Sequence, residues 1–528
     1  MIRANAIHSF AVAAAVSLAI TSICAAEDLR LPSVFGSRMV LQRDMAVPVW
    51  GWADAGEKVT VKFRDQTQTA TANSEGRWSV KLEPLGVGDA APLTVTGKQG
   101  KIELTDVLVG EVWVCSGQSN MQWSVQVGLD PDLEAAAAHH PHIRLFQVPM
   151  VTATEPQEDV EAEWRTCTPE SLPAFTAVGY FFGRNLHEVL QVPVGLVQTA
   201  WGGTRAEAWT SPEMMASVGE LKPILDAWEK TAAAYNPETA KQQHEQALAK
   251  WEDEAAKAKA DGKPAPRKPQ LQEDPRRSPH HPSTLFNAMV APLTPFAIRG
   301  AIWYQGESNA SRAYQYRTLM PSMIQSWRDD WQQGDFAFYQ VQLANFREIS
   351  DEAVSSDWAE LREAQMLTTQ ALPNVGAACI TDLGAALDIH PRNKQDVGKR
   401  LARLALVDLY GFASNITRSG PVYESAVFDG DKAAIRFKTQ GSPLATWYRE
   451  PLTGFVIAGE DRNWVRAESR IIDDNTVEVS SKHVPKPVAV RYNWADNPQG
   501  NLFNAVMLPA YPFRTDDWES VTVNNVSP

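Results

Sequence analysis

At 528 residues, with 44% apolar and 21% charged side chains, the chain is too long for one compact core and too apolar for disorder, so two to four folded modules are expected. Its 63 acidic residues outnumber the 49 basic ones, and a net charge of -14 argues against a long basic face for nucleic-acid phosphates. The 18 tryptophans supply flat rings that suit protein cores and sugar rings alike.

Residues 1–26 read as a secretory leader: Arg3, an apolar run from Phe10 to Ile23, then Cys24-Ala25-Ala26 before Glu27. This predicts a secreted or periplasmic protein whose mature chain starts near Glu27. No later segment approaches eighteen uninterrupted apolar residues, so no membrane span is expected. Beyond the leader only Cys115, Cys167 and Cys379 remain, enough for at most one disulfide, and three small buried apolar side chains are the simpler reading.

From residue 27 to 107 short alternating segments broken by turn residues, such as "DAGEKVTVKF", predict a small β-sandwich. From 108 to 420 apolar runs ("VLVGEVWVCSG", "VPVGLVQTAWGG", "IRGAIWYQG", "FAFYQVQLANF", "VGAACITDLG") alternate with amphipathic helical patterns. That texture predicts an α/β domain, a mainly parallel sheet with helices on both faces and reactive groups beyond the strands' carboxyl ends. Within it, residues 213–281 are rich in Ala, Glu and Lys and read as one or two exposed helices followed by a proline-rich linker. From 421 to 528 the β texture returns and predicts a second sandwich.

Two segments share a wording. "VWVCSGQSNMQW" carries Ser119 on a glycine turn after an apolar strand, and "AIWYQGESNA" carries Ser308 in the matching place. A serine nucleophile needs a base to take its proton and N–H donors for the attacked carbonyl oxygen, and a strand-end turn offers both exposure and amides. Of the ten histidines, His390 stands apart: "LDIHPRNKQDVGKRLARLAL" places Asp388 and His390 just ahead of an amphipathic helix. A carboxylate beside an imidazole can orient the ring and stabilise its cation, although a D-x-H alone is more often a helix cap.

The blocks "SGQSNM", "WGGT", "WYQGESN" and "DIHPRNKQDVGKRLA", in that order over about three hundred residues, resemble the sialate O-acetylesterase family of carbohydrate esterases, within the SGNH-hydrolase (flavodoxin-like three-layer αβα) fold. The resemblance implies removal of acetyl esters from an acetylated carbohydrate, without metal or cofactor. It implies Ser119 as nucleophile and His390 as base. The oxyanion hole would combine the Ser119 N–H, an N–H of Gly202 or Gly203, and the Gln305 side-chain amide. Ser308 then has no nucleophilic role. The superfamily's acid stands three residues before the histidine, where this chain has Leu387; Asp388, Asp382, or a Ser–His dyad oriented by a backbone carbonyl are the alternatives. Gln118, Asn120, Arg205, Trp209 and Glu307 are substrate-binding candidates or braces of the same loops. A non-catalytic carbohydrate-binding protein is the rival reading, and a metal-dependent deacetylase lacks the His/Asp clustering it would need.

Overall fold

The computed structural model describes residues 29–98, 100–349, 355–447 and 450–527; the leader expected at 1–26 lies outside them. Seven strands open the chain: β1 (Val40–Gln42), β2 (Val47–Trp52), β3 (Lys58–Phe63), β4 (Gln66–Thr71), β5 (Arg77–Leu82), β6 (Ala91–Thr96) and β7 (Lys101–Gly117). β3, β4 and β6 form an antiparallel set that joins the first half of β7, and β2 pairs with β5.

β7 is the axis of the molecule. Its first five residues, "KIELT", alternate as a strand with one wet face must, whereas Val107 to Gly117 are buried without a break. That second half enters a sheet completed by β8 (His140–Gln147), β9 (Trp164–Cys167), β10 (Val194–Ala200), β11 (Gly300–Tyr304), β12 (Ala337–Val341) and β13 (Val375–Ala378). The order is β13-β12-β11-β7-β10-β8-β9, parallel except for the edge strand β9.

Alternate residues of the central strands face two separate cores. Val112, Val114, Ala301, Trp303 and Phe338 pack against helices Ala313–Trp331 and Asp357–Ala371, while Trp113, Cys115, Ile302, Tyr304 and Tyr339 pack against helices Ala177–Leu190 and Lys394–Leu409. The molecule is therefore mixed α/β with helices on both faces of the sheet. Cys115, Cys167 and Cys379 are buried and unpaired by disulfide.

Helices Lys222–Ala234 and Pro237–Ala260, largely exposed, occupy the segment read as an insertion. Near the C-terminus, one four-stranded antiparallel sheet contributes Ile435, Phe437, Val477 and Val479, and another contributes Phe455, Ile457, Val490, Tyr492 and Phe513, to a shared core. No helix among the described residues is long and apolar enough to cross a membrane.

Candidate active site

Three neighbouring strands, β10, β7 and β11, end side by side at their carboxyl edges. β7 runs out at Gly117, where φ is 137° and a Cβ would lie 2.2 Å from the Tyr304 carbonyl oxygen; only glycine passes. The Gln118 N–H donates to that carbonyl at 2.9 Å, and the chain enters one helical turn, Ser119–Gln122. Ser119 is the first residue of the turn, so its N–H has no acceptor within the helix. Gly202, beyond β10, lies so close that a Cβ on it would be 3.2 Å from Ser119 Cβ.

The chain leaves the edge strand β13 and returns through a loop ahead of helix Lys394–Leu409. That loop places His390 Nε2 2.9 Å from Ser119 Oγ. The imidazole lies flat on Trp123, with ring centroids 4.6 Å apart and planes 15° apart. Burial, and then the nearby Lys394 ammonium, hold His390 below its ordinary value, while Asp388 acts in the opposite sense. A base kept neutral and within hydrogen-bond reach of a serine hydroxyl can accept its proton.

Asp388 does not close a tight triad. Its Oδ1 accepts the backbone N–H of His390 at 2.9 Å but lies 3.6 Å from Nδ1, beyond hydrogen-bond length, and its side chain is 52% exposed. Asp382 is engaged elsewhere, both its oxygens accepting from Arg400 at 2.6 Å. Ser308 donates its hydroxyl to the Gly203 carbonyl at 2.8 Å and so braces the turn beside Ser119.

The Gln305 amide differs from its expected place. It is wholly buried, and its Nε2 donates to Thr204 O (3.2 Å) and Asn309 Oδ1 (2.6 Å) while its Oε1 accepts from the Tyr316 hydroxyl (2.9 Å). Both amide hydrogens are used inside the wall, which leaves none for a substrate oxygen. Gly202 N–H is also occupied, by Gln122 Oε1 at 2.7 Å, whereas Gly203 is exposed at a φ of 77°.

Most of the substrate-binding candidates are likewise internal. Trp209 is wholly buried, donating to Thr204 Oγ1 and meeting Trp303 edge to face. Gln118 Oε1 accepts from the N–H groups of Ser308 (3.3 Å) and Gly306 (3.5 Å). Asn120 and the Glu307 carboxylate are enclosed and bonded to each other at 2.6 Å. Arg205 keeps partial exposure, with burial pulling its pKa down against the opposing pull of Glu207. A cleft of about 540 Å³ opens at the ends of β8 and β10, lined in part by Gln122, Gln147, Met150, Glu161 and Phe175, and shares Gln122 with the site.

Three residues that sequence reasoning passed over shape the site: Gln122 on the Gly202 amide, Trp123 under the imidazole, and Lys394 behind both. Lys394 carried a signal, because a lysine at the first position of a helix faces the positive end of the helix dipole and so sits where a cation is disfavoured.

The chain belongs to a family of carbohydrate esterases: the family model for carbohydrate esterase, sialic acid-specific acetylesterase, matches residues 109–234 and 277–407, and the unmatched stretch between them falls within the helical insertion. It is thus a carboxylic ester hydrolase. Among curated proteins it is 28% identical to the sialate O-acetylesterase of Homo sapiens over 92% of both chains, and 30% identical to that of Rattus norvegicus over 74% of this chain and 76% of the other. Among solved structures it resembles a carbohydrate acetylesterase from Xanthomonas citri, with 37% identity, a TM-score of 0.78, and coverage of 93% of this chain and 100% of that one.

Proposed function

We propose that the protein is a secreted carbohydrate O-acetylesterase of the SGNH-hydrolase type, with Ser119 as nucleophile and His390 as general base. The observation that carries this reading is the 2.9 Å contact between His390 Nε2 and Ser119 Oγ at the carboxyl ends of the central strands.

Ser119 Oγ attacks the acetyl carbonyl as its proton passes to His390 Nε2. The oxyanion is held by the Ser119 N–H together with the Gly202 N–H, once the Gln122 carbonyl has withdrawn, and the exposed Gly203 turn beside it. The imidazolium then protonates the sugar oxygen, which leaves as an alcohol. A water deprotonated by His390 attacks the acetyl-serine, and acetate departs with Ser119 restored. Asp388 contributes charge rather than a hydrogen bond to the ring, so the pair works nearly as a dyad. The saccharide is assigned to the cleft that Gln122 lines. Acetylated sialic acids and acetylated hemicellulose fragments such as xyloglucan or xylan are the candidate substrates.

The test is acetate release from a panel of these sugars, and from p-nitrophenyl acetate, by two variants. Ser119→Ala is expected to be inactive and Ser308→Ala to keep most activity. A dead Ser308→Ala beside a live Ser119→Ala reverses the assignment, and a folded wild-type protein that binds acetylated sugar without releasing acetate supports the carbohydrate-binding alternative.

A further inference from the structure

Behind the two reacting side chains lies a charged network that the mechanism has not used. Lys394 is wholly buried at the first turn of its helix. Its Nζ donates to Asn120 Oδ1 at 2.5 Å and sits over two aromatic faces, 5.7 Å from the Trp123 ring and 5.3 Å from the Tyr304 ring. Asn120 Nδ2 donates in turn to Glu307 Oε1 at 2.6 Å and to the Ile389 carbonyl at 3.1 Å. One amide side chain therefore separates a buried amine from a buried carboxyl group, and burial raises the pKa of the Glu307 carboxyl against the opposing pull of Asn120 and Lys394. The same amide ties the residue after Ser119 to the residue before His390.

Burying an ammonium and a carboxylate costs several kcal/mol each unless they are compensated, and a cation at a helix start adds to that cost. Packing alone does not account for the choice, because an apolar side chain of similar length would fill the space. What the charges supply is a fixed link between the nucleophile turn and the base loop, together with a positive charge beside the ring. Trp123 completes the link: one face of its indole supports His390, and the ring also lies under Lys394.

We propose that Lys394 is a positioning residue of the esterase reaction, acting on Ser119 and His390 through Asn120 and Trp123 rather than on the substrate. The inference rests on the Ser119–His390 reading given above. Its electrostatic consequence follows from which groups face which. His390 meets Lys394 and Asp388; Lys394 meets Glu307 from the β11 loop, Asp388 and His390 from its own loop, and only the ring of Tyr304 and neutral groups from the nucleophile turn. Arg392 bonds away to the Val127 carbonyl, and Asp396 closes the helix cap with Asn393. Burial pulls Lys394 down to about 7 against the pull of Glu307 and Asp388, and the charge it retains holds His390 down.

The experiment compares kcat/KM against pH for wild type, Lys394→Met and Glu307→Gln on p-nitrophenyl acetate, alongside an NMR titration of His390 in each. Removing the ammonium, or the carboxylate that keeps it charged, is expected to lower kcat/KM at least tenfold. It should also move the acidic limb and the His390 titration upward, since a like charge that disfavoured the imidazolium is gone. Glu307→Gln keeps the side chain's shape, so it reports even where Lys394→Met fails to fold. Lowered activity with an unmoved His390 titration in both variants makes Lys394 a structural strut and overturns the proposal, as does unchanged activity. The NMR readout needs no turnover, so it stays informative if Ser119→Ala shows the esterase reading itself to be wrong.

Discussion

Replacing Asp388 by asparagine is the most discriminating single change, because the structure gives that carboxylate a weaker part than a triad acid has elsewhere. In Asp388→Asn the new side-chain carbonyl could still accept the His390 backbone N–H, so the loop keeps its local bond and only the charge is lost. At the 3.6 Å separation from Nδ1, two unit charges interact by about 1 kcal/mol in water and about 5 kcal/mol at an effective dielectric of 20. With the aspartate side chain 52% exposed, screening lies toward the aqueous end, and a loss of about 1 to 2 kcal/mol in transition-state stabilisation is expected, or about 5- to 30-fold in kcat/KM. Where a carboxylate is hydrogen-bonded to the ring the same change costs about 10⁴. Because Asp388 raises the His390 pKa, its removal should lower that pKa and extend activity to more acid conditions. Initial rates on p-nitrophenyl acetate from pH 4 to 9 measure both. A loss near 10⁴ would refute the reasoning and place Asp388 on Nδ1 in the working enzyme, and an unmoved acidic limb would deny it any electrostatic part.

Wild-type kcat/KM should fall on the acid side with an apparent pKa below the ordinary histidine value, since burial and Lys394 both disfavour the imidazolium; a limb above that value contradicts the assignment of His390 as the base. Gln305→Ala should act chiefly on stability, at a cost of about 2 to 4 kcal/mol, because Asn309 and Tyr316 lose buried partners, and thermal unfolding should show it as a lowered midpoint. A fully stable Gln305→Ala with kcat cut a hundredfold or more would return the amide to the oxyanion hole. Gly117→Ala should yield little folded, active protein, since the new methyl would meet the Tyr304 carbonyl at 2.2 Å, and near-normal yield and activity would contradict that clash.

The Ser119–His390 pair proposed here as nucleophile and base was legible as a candidate because each residue lies in a short contiguous motif with a local reason to be exposed: a strand end for Ser119 and a pre-helix turn for His390. The helices on both faces were legible from unbroken apolar strands alternating with amphipathic segments. What stayed hidden was decided by side-chain partners that only the folded loops bring into contact. Gln305 reads as an oxyanion donor until Thr204 from the β10 loop, with Asn309 and Tyr316 from just beyond β11, take up its amide. Trp209 reads equally as a substrate-binding residue or a loop brace until its contacts with Trp303 and Thr204 show it enclosed as a brace. The pattern switch near residue 107 is visible in sequence, but it marks the place where one strand passes from a one-sided sheet into a two-sided core.

That strand has a mechanical consequence. Seventeen residues of unbroken β7 extend roughly 55 Å from Lys101 to the turn that holds Ser119. Midway, Glu111 is buried in a clamp between Arg43 of the N-terminal module and Arg299 just ahead of β11. The strands before β7 thus pair along its first half, and Ser119 follows its far end, with the Glu111 clamp between them. A truncation that treats residue 108 as the start of an independent catalytic unit would cut β7 on the module side of the clamp and discard Arg43.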